Sequence, residues 1–156
     1  MKSHLALACL WIVLGAFAGC GKAPDAHLPA SAPGSHIHVA LHGGTLVPLG
    51  EHAYNLELVR DADTGRLSLY VLDGHAENFI RITAPTIELV AIAGGERRPL
   101  NLRAVANSAT GETVGDTSQF DGQADWLKKI DSFPGEILGL DLRETKFEKV
   151  AFYFRS

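Results

Sequence analysis

Apolar and polar residues alternate with a period of two through segments 53–60 and 66–72 of the chain. Such alternation predicts half-buried β-strands, each with one face toward a core. Between the two segments lies Asp61–Gly65 (DADTG), whose glycine can adopt the positive φ of a tight turn. The pattern therefore predicts a β-hairpin over residues 53–72, with Leu56 and Leu69 on its inward face.

The same pattern recurs along the rest of the chain. Segments 86–92 and 97–105 flank Gly94 and Gly95 and predict a second hairpin. Further strands are predicted at 45–48 and 79–83, and from the alternating residues Leu138, Leu140, Leu142, Val150, Phe152 and Phe154. Only segment 124–130 (ADWLKKI) indicates a helix, with Asp121 as its N-cap. Six to eight short strands predict an all-β fold, an antiparallel β-sandwich of Ig-like size with one short helix; an open barrel is the alternative.

The N-terminus has a different pattern. Residues 5–18 carry no charge and follow Lys2, but about 14 residues are too few to span a bilayer core that needs roughly 20. A positive start, a short apolar stretch and small residues are typical of a secretory signal peptide. Ala18, Gly19 and Cys20 resemble the lipobox of bacterial lipoproteins. We therefore expect a signal peptide at 1–19 and a lipid on Cys20, which anchors the protein to the membrane.

Residues 20–35 are rich in Pro, Ala, Ser and Gly without apolar periodicity, so they predict a flexible tether after the lipidated cysteine. Residues 36–156 predict a single globular domain. By resemblance to lipoprotein sorting signals, Gly21 points to the outer membrane, with the domain facing the periplasm. The formal net charge is −4 and becomes −5 after cleavage, because Lys2 is the only charged residue of 1–19. A mildly acidic chain without a basic cluster argues against nucleic acid as a partner.

Histidine is unevenly distributed along the chain. Five of the seven histidines lie between residues 36 and 75, and three of them, His36, His38 and His42, stand at the entry to the predicted domain. Imidazole is the commonest neutral protein ligand for Zn and Cu. These three residues are therefore candidate metal ligands, and the further candidates are Glu57, Asp73 and His75, with Glu51, His52 and Glu77 as weaker additions. Solvated histidines at the end of a linker are the alternative interpretation.

Segments HGGT (42–45), LGE (49–51) and YNLELV (54–59) together resemble a family of uncharacterised bacterial secreted lipoproteins. More distantly, they resemble the start of periplasmic adaptors of heavy-metal efflux systems. The likeness covers residues 40–105 best, and it implies an envelope location, a β-rich domain and metal handling. Similar segments often carry His at the position of Asn55, and Asn is a poor ligand for Zn or Cu. The residues of the motif that remain as candidate ligands are His42 and Glu57.

The sequence lacks the catalytic motifs Gly-x-Ser-x-Gly, Ser-x-x-Lys and His-Glu-x-x-His. We therefore expect a protein that is not an enzyme. Two functions remain open: an envelope-anchored module whose surface or edge strand binds another envelope protein, or a periplasmic accessory protein that binds or transports Zn or Cu.

Overall fold

The computed structural model describes residues 38–156, where eight antiparallel strands form one sheet in the order β1-β2-β3-β6-β5-β4-β7-β8. The strands are β1 (Thr45–Leu49), β2 (Tyr54–Asp61), β3 (Arg66–Asp73), β4 (Thr86–Ala93), β5 (Glu96–Ala104), β6 (Gln119–Gln123), β7 (Ser132–Leu142) and β8 (Thr145–Arg155). A five-residue 3₁₀ helix, Asp125–Lys129, follows β6. The predicted antiparallel all-β class is confirmed.

The two outer strands of the sheet, β1 and β8, come next to each other. The Thr45 hydroxyl donates a hydrogen bond to the Arg155 carbonyl oxygen (2.8 Å) and accepts one from the Arg155 N–H (3.0 Å). One side chain thus links the backbones at the two ends of the sheet, and the sheet nearly closes on itself. This single curled sheet follows the open-barrel alternative, whereas a sandwich would divide the strands between two facing sheets.

Both predicted hairpins are present. Strands β2 and β3 pair along their whole length, with Leu58 opposite Leu69, and β4 pairs with β5 in the same manner. In the turn after β2, the Asp61 carboxylate accepts the N–H groups of Asp63 and Thr64. Gly65 then takes a φ of +70°, as the turn requires. Local alternation and turn chemistry therefore determine these parts of the sheet.

Two of the sequence predictions need correction. Residues 79–83 form only isolated bridges, Phe79 with Leu72 and Ile82 with Thr117, and not a strand. Asp121 lies inside β6 and does not cap the helix, whose first residues have no side-chain cap. Strand β6 was not predicted, because Gly122 occupies the position of its second inward side chain and so interrupts the alternation of apolar residues. A Cβ on Gly122 would lie 2.6 Å from the Leu102 side chain, so glycine lets β6 approach β5.

Leucines and phenylalanines fill the interior of the curled sheet. Leu56 and Leu69 are fully buried, as predicted from their parity, and Phe120, Phe133 and Phe154 are the largest buried side chains. The 3₁₀ helix adds Leu127 to this core. Across residues 38–156, the structure contains no helix both long and apolar enough to cross a membrane.

Candidate functional site

The predicted site residues fall into separate groups. Cys20 and His36 lie outside the residues that the structure describes, as do the predicted signal peptide and tether. The structure brings His42 together with Glu57 and places His38 beside His75. Asp73 belongs to neither group.

Glu57 is the centre of the first group. Its carboxylate accepts hydrogen bonds from the N–H of His42 (2.7 Å), the N–H of Gly44 (3.0 Å) and the imidazole Nδ1 of His42 (2.9 Å). The Glu57 side chain is completely buried, while that of His42 is 36% exposed. A buried carboxylate is tolerated where hydrogen bonds surround it. These bonds fasten residues 42–44 to the outer face of the sheet.

The local sequence explains why Glu57 is buried. Strict alternation in β2 turns Glu57 outward, between the inward residues Leu56 and Leu58, and the segment before β1 then folds over it. Tyr70, opposite Glu57 in β3, stacks on the His42 ring with centroids 4.0 Å apart. Burial, followed by the charge of Asp121, raises the pKa of Tyr70 above its usual range. The His42 imidazole is therefore held between a carboxylate and an aromatic ring, with its Nδ1 turned to Glu57.

Asn55 and Asp73 both stabilise the chain where β3 ends. The buried Asn55 amide donates hydrogen bonds to the carbonyl oxygens of Asp73 and Gly74. The Asp73 carboxylate accepts hydrogen bonds from the Asn78 amide and the Glu77 N–H, and the Asn78 amide is the main cause that lowers the pKa of Asp73. The oxygens of Asp73 thus serve a turn, and Asn55 has a structural role of its own.

Three histidines form the second group at the same end of the sheet. The ring centroid of His38 lies 6.0 Å from that of His52 and 6.2 Å from that of His75. His38 Nδ1 lies 3.2 Å from the His75 carbonyl oxygen, so with the proton on Nδ1 this nitrogen donates to the carbonyl and Nε2 is left as the basic nitrogen. His38 and His75 also line an open cavity of about 590 Å³. Within residues 38–156, however, no three His, Asp, Glu or Cys side chains are placed to hold one metal ion.

A third feature is a surface cavity at the place where the pairing of β5 with β6 ends. These strands pair only at Arg103–Asp121 and Ala104–Phe120, although β5 extends back to Glu96. Beyond Arg103 the ladder of paired residues ends, although the strands stay close: a Cβ on Gly122 would lie 2.9 Å from the Asn101 carbonyl oxygen. An open surface cavity of about 550 Å³ lies here, and its lining comprises Arg66, Pro99, Leu100, Asn101, Arg103, Asp121, Gly122, Gln123 and Ala124. We call this feature the β5–β6 opening.

The β5–β6 opening was not predicted from the sequence, although one residue signals it. Proline has no N–H to donate, and inside sheets it stands at strand sides without a ladder. Pro99 occupies the middle of β5 and is exposed. Its position indicates that one side of β5 is free of a paired strand, and the structure places the β5–β6 opening at that residue.

Comparison with known proteins finds no relative of this chain. No protein-family model, no curated protein and no solved structure matches this chain.

Proposed function

We propose that this chain is a non-enzymatic lipoprotein of the cell envelope, anchored through Cys20 to the outer membrane, whose domain binds a partner protein in the periplasm. The anchor is supported by the apolar, uncharged segment 5–18 and the small residues that precede Cys20. A diacylated cysteine provides stable attachment, because two or more acyl chains hold a protein much more firmly than one. The tether at 20–35 then gives the domain freedom to reach its partner.

The free side of β5 is the observation that supports partner binding. The outer strands β1 and β8 meet through Thr45 and Arg155, so the ends of the sheet are joined. Pairing between β5 and β6, in contrast, stops at Arg103, and residues 97–99 of β5 lie beyond the last residue of β6, Gln123. An extended segment of another protein binds such a strand by adding backbone hydrogen bonds to it. The domain is accordingly a module that binds its partner by strand addition at residues 97–99 of β5.

Backbone methylation of a peptide probe tests this proposal. A blocked peptide of alternating Thr and Gln should bind the domain and perturb the NMR signals of residues 97–99. A copy that is N-methylated at the residues facing β5 should bind at least about tenfold more weakly, since each methyl group removes a donor and adds bulk at the strand. A copy methylated at the other residues controls for altered peptide conformation. Equal binding of both methylated copies, or no binding of the parent peptide at millimolar concentration, would contradict the proposal.

A second candidate function is the binding of Zn(II) or Cu(II), and one observation favours it. The rings of His38, His52 and His75 lie close together, and Nε2 of His38 is free to accept a metal when Nδ1 donates to the His75 carbonyl. His42 and Glu57, in contrast, already bind each other. The group of His38, His52 and His75 is thus the better metal candidate, although its side chains would have to move to bind one ion together.

Calorimetric titration with Zn(II) and Cu(II) tests the metal candidate. If the histidine group binds the ion in the folded state, the melting temperature should rise with metal, and the rise should disappear in His75→Ala and fade as the pH falls through about 6. His27→Ala is a matched control, because that histidine lies in the predicted tether. Binding that raises no melting temperature, or that survives in His75→Ala, would contradict a site formed by this group.

A further inference from the structure

We infer that three exposed apolar residues at the entry to the domain, Val39, Leu41 and Phe79, rest on the surface of a zwitterionic phospholipid bilayer. We call these three residues the entry patch. The contact rests on the proposed function, because the lipid on Cys20 must first bring the bilayer beside the domain. It adds to that function a fixed orientation of the domain on the membrane.

The entry patch concentrates exposed apolar surface. Val39 is 77% exposed, Leu41 47% and Phe79 48%. Val39 and Leu41 line the same open cavity, and the Phe79 ring lies 5.9 Å from the ring of His42, the residue after Leu41. Three of the seven large apolar side chains that are exposed within residues 38–156 thus gather here. Contiguous apolar patches mark surfaces that bind a protein or a membrane, whereas single exposed apolar residues are ordinary.

Hydrogen bonds at both ends fasten the segment that carries most of the entry patch. At one end, the Nδ1 atom of His38 lies 3.2 Å from the His75 carbonyl oxygen. At the other end, the N–H of His42 donates to the Glu57 carboxylate. The two apolar residues of the entry patch between these points are therefore held on the surface by a fastened segment, not by a loose chain end.

The length of chain before the entry patch favours a bilayer as its partner. Residues 21–37, 17 in number, connect Cys20 to the first described residue, His38. A flexible chain of that length spans about 23 Å on average, so the lipid on Cys20 keeps the bilayer within reach of the entry patch. Such a link makes the second contact intramolecular, with an effective concentration in the millimolar range. A weak apolar contact is then sufficient to orient the domain.

The charges beside the entry patch favour a zwitterionic surface. The described residues that line the cavity next to Val39 and Leu41 include no Lys or Arg, and Glu77 is the one carboxylate among them. Anionic lipid attracts basic clusters, so charge does not supply the attraction here. Apolar side chains instead enter the boundary between headgroups and acyl chains, and their binding strength grows with the apolar area that they bury. The contact should therefore be insensitive to salt.

The direction of the strands places the entry patch far from the proposed partner site. The entry patch lies beside His75, two residues after the end of β3. Strands β3 and β5 both pair antiparallel with β6, so they run in the same direction. Strand β5 therefore begins at the opposite end of the sheet. A domain that rests on the entry patch directs residues 97–99 of β5 away from the bilayer, where a periplasmic partner can reach them.

Fluorescence quenching in vesicles tests the inference on the full lipidated protein. Val39→Cys introduces the one free thiol, because the mature chain has no cysteine besides the lipidated Cys20, and this thiol is labelled with bimane. Ile92→Cys is the matched control, since Ile92 is 43% exposed and lies next to the turn between β4 and β5. In phosphatidylcholine vesicles, a nitroxide at the headgroup end of the acyl chains should quench the label at position 39 at least about threefold more than the label at position 92. The ratio should stay the same from about 50 mM to about 500 mM salt.

Variants of the entry patch show whether its own side chains make the contact. Leu41→Ser with Phe79→Ser should lower the quenching at position 39 to the level at position 92. Leu138→Ser with Tyr153→Ser, a pair of exposed residues on β7 and β8, should leave it unchanged. Melting curves by circular dichroism verify that both double variants fold. Quenching that persists in the first variant would overturn the inference, because the label itself would then be drawn into the bilayer.

The outcomes separate this contact from the lipid anchor. Flotation of the protein with the vesicles reports on the anchor alone, and protein that does not float would overturn both. Protein that floats but shows equal quenching at positions 39 and 92 would overturn the inference while the anchor stands. Protection of the label at position 39 from aqueous iodide without quenching by the lipid nitroxide would also overturn it, since a second copy or the tether would then cover the entry patch.

Discussion

Truncation of Glu57 to alanine should destabilise the domain strongly, although this residue lies on the outer face of the sheet. The carboxylate accepts three hydrogen bonds from residues 42–44, two from backbone N–H groups and one from the His42 ring. Alanine removes the acceptor for all three at once. The stacking of His42 on Tyr70 would loosen with them, since the ring is held in place by the same carboxylate.

The magnitude follows from these contacts. Hydrogen bonds to a charged group contribute about 1.5–3 kcal/mol each, and removal of one partner from a buried pair costs about 3–5 kcal/mol. Segment 42–44 precedes β1 and can lift into water, so its freed N–H groups are solvated and the full sum is not lost. We expect a loss of about 3 kcal/mol for Glu57→Ala. Glu57→Gln retains an acceptor for the N–H groups of His42 and Gly44, and its loss should be about 1 kcal/mol.

Urea unfolding followed by circular dichroism measures these losses, with the slope of the transition as a check on the denatured state. Glu88→Ala is the matched control, because Glu88 is an exposed outward glutamate of β4, and its loss should stay under about 0.5 kcal/mol. His42→Ala should fall between them at about 1 kcal/mol, since it removes one hydrogen bond and the stacked ring. Equal losses for Glu57→Ala and Glu88→Ala would refute the role assigned to the Glu57 carboxylate.

Three further predictions concern the core, the end of β3 and the anchor. Leu69→Ala should cost about 2–5 kcal/mol in the same urea assay, because Leu69 is fully buried, and a loss below that of Glu88→Ala would contradict the assigned faces. The lowered pKa of Asp73 means that its stabilisation is complete above the ordinary carboxyl pKa and is lost as the pH falls below about 4. In the Asp73→Asn variant the melting temperature should therefore fall less steeply as the pH is lowered. An unchanged pH dependence would argue against a stabilising role of the Asp73 carboxylate. Cys20→Ala should abolish incorporation of labelled fatty acid; normal labelling would refute the lipid anchor.

Local patterns in the sequence predict the hairpins but not the closure of the sheet. The pairing of β2 with β3 depends on alternation and a five-residue turn, both of which lie in neighbouring residues. The contact of Thr45 with Arg155 joins residues 110 positions apart, and no local pattern encodes it. Strand β6 has a weak pattern of its own, because Gly122 replaces an apolar residue where β5 comes close.

The site was predicted in part. The sequence singled out His42 and Glu57, and the structure brings them together. Alternation gave the outward direction of Glu57 but could not show that segment 42–44 covers it. The β5–β6 opening depends on where pairing ends between distant strands, so only Pro99 pointed to it.

Hydrogen exchange at the Arg97 amide tests the central claim most directly. Arg97 lies beyond the end of β6, and it stands an even number of residues before Val105, whose N–H donates to Gln119 on the β6 side. Its N–H therefore points away from β4, to the side where a bound segment would accept a hydrogen bond from it. Saturation with the peptide of alternating Thr and Gln should slow exchange of this amide at least about tenfold, while the Asn107 amide, which already donates to Glu112, should keep its rate. Saturating peptide that leaves the exchange rate of Arg97 unchanged would contradict strand addition at β5.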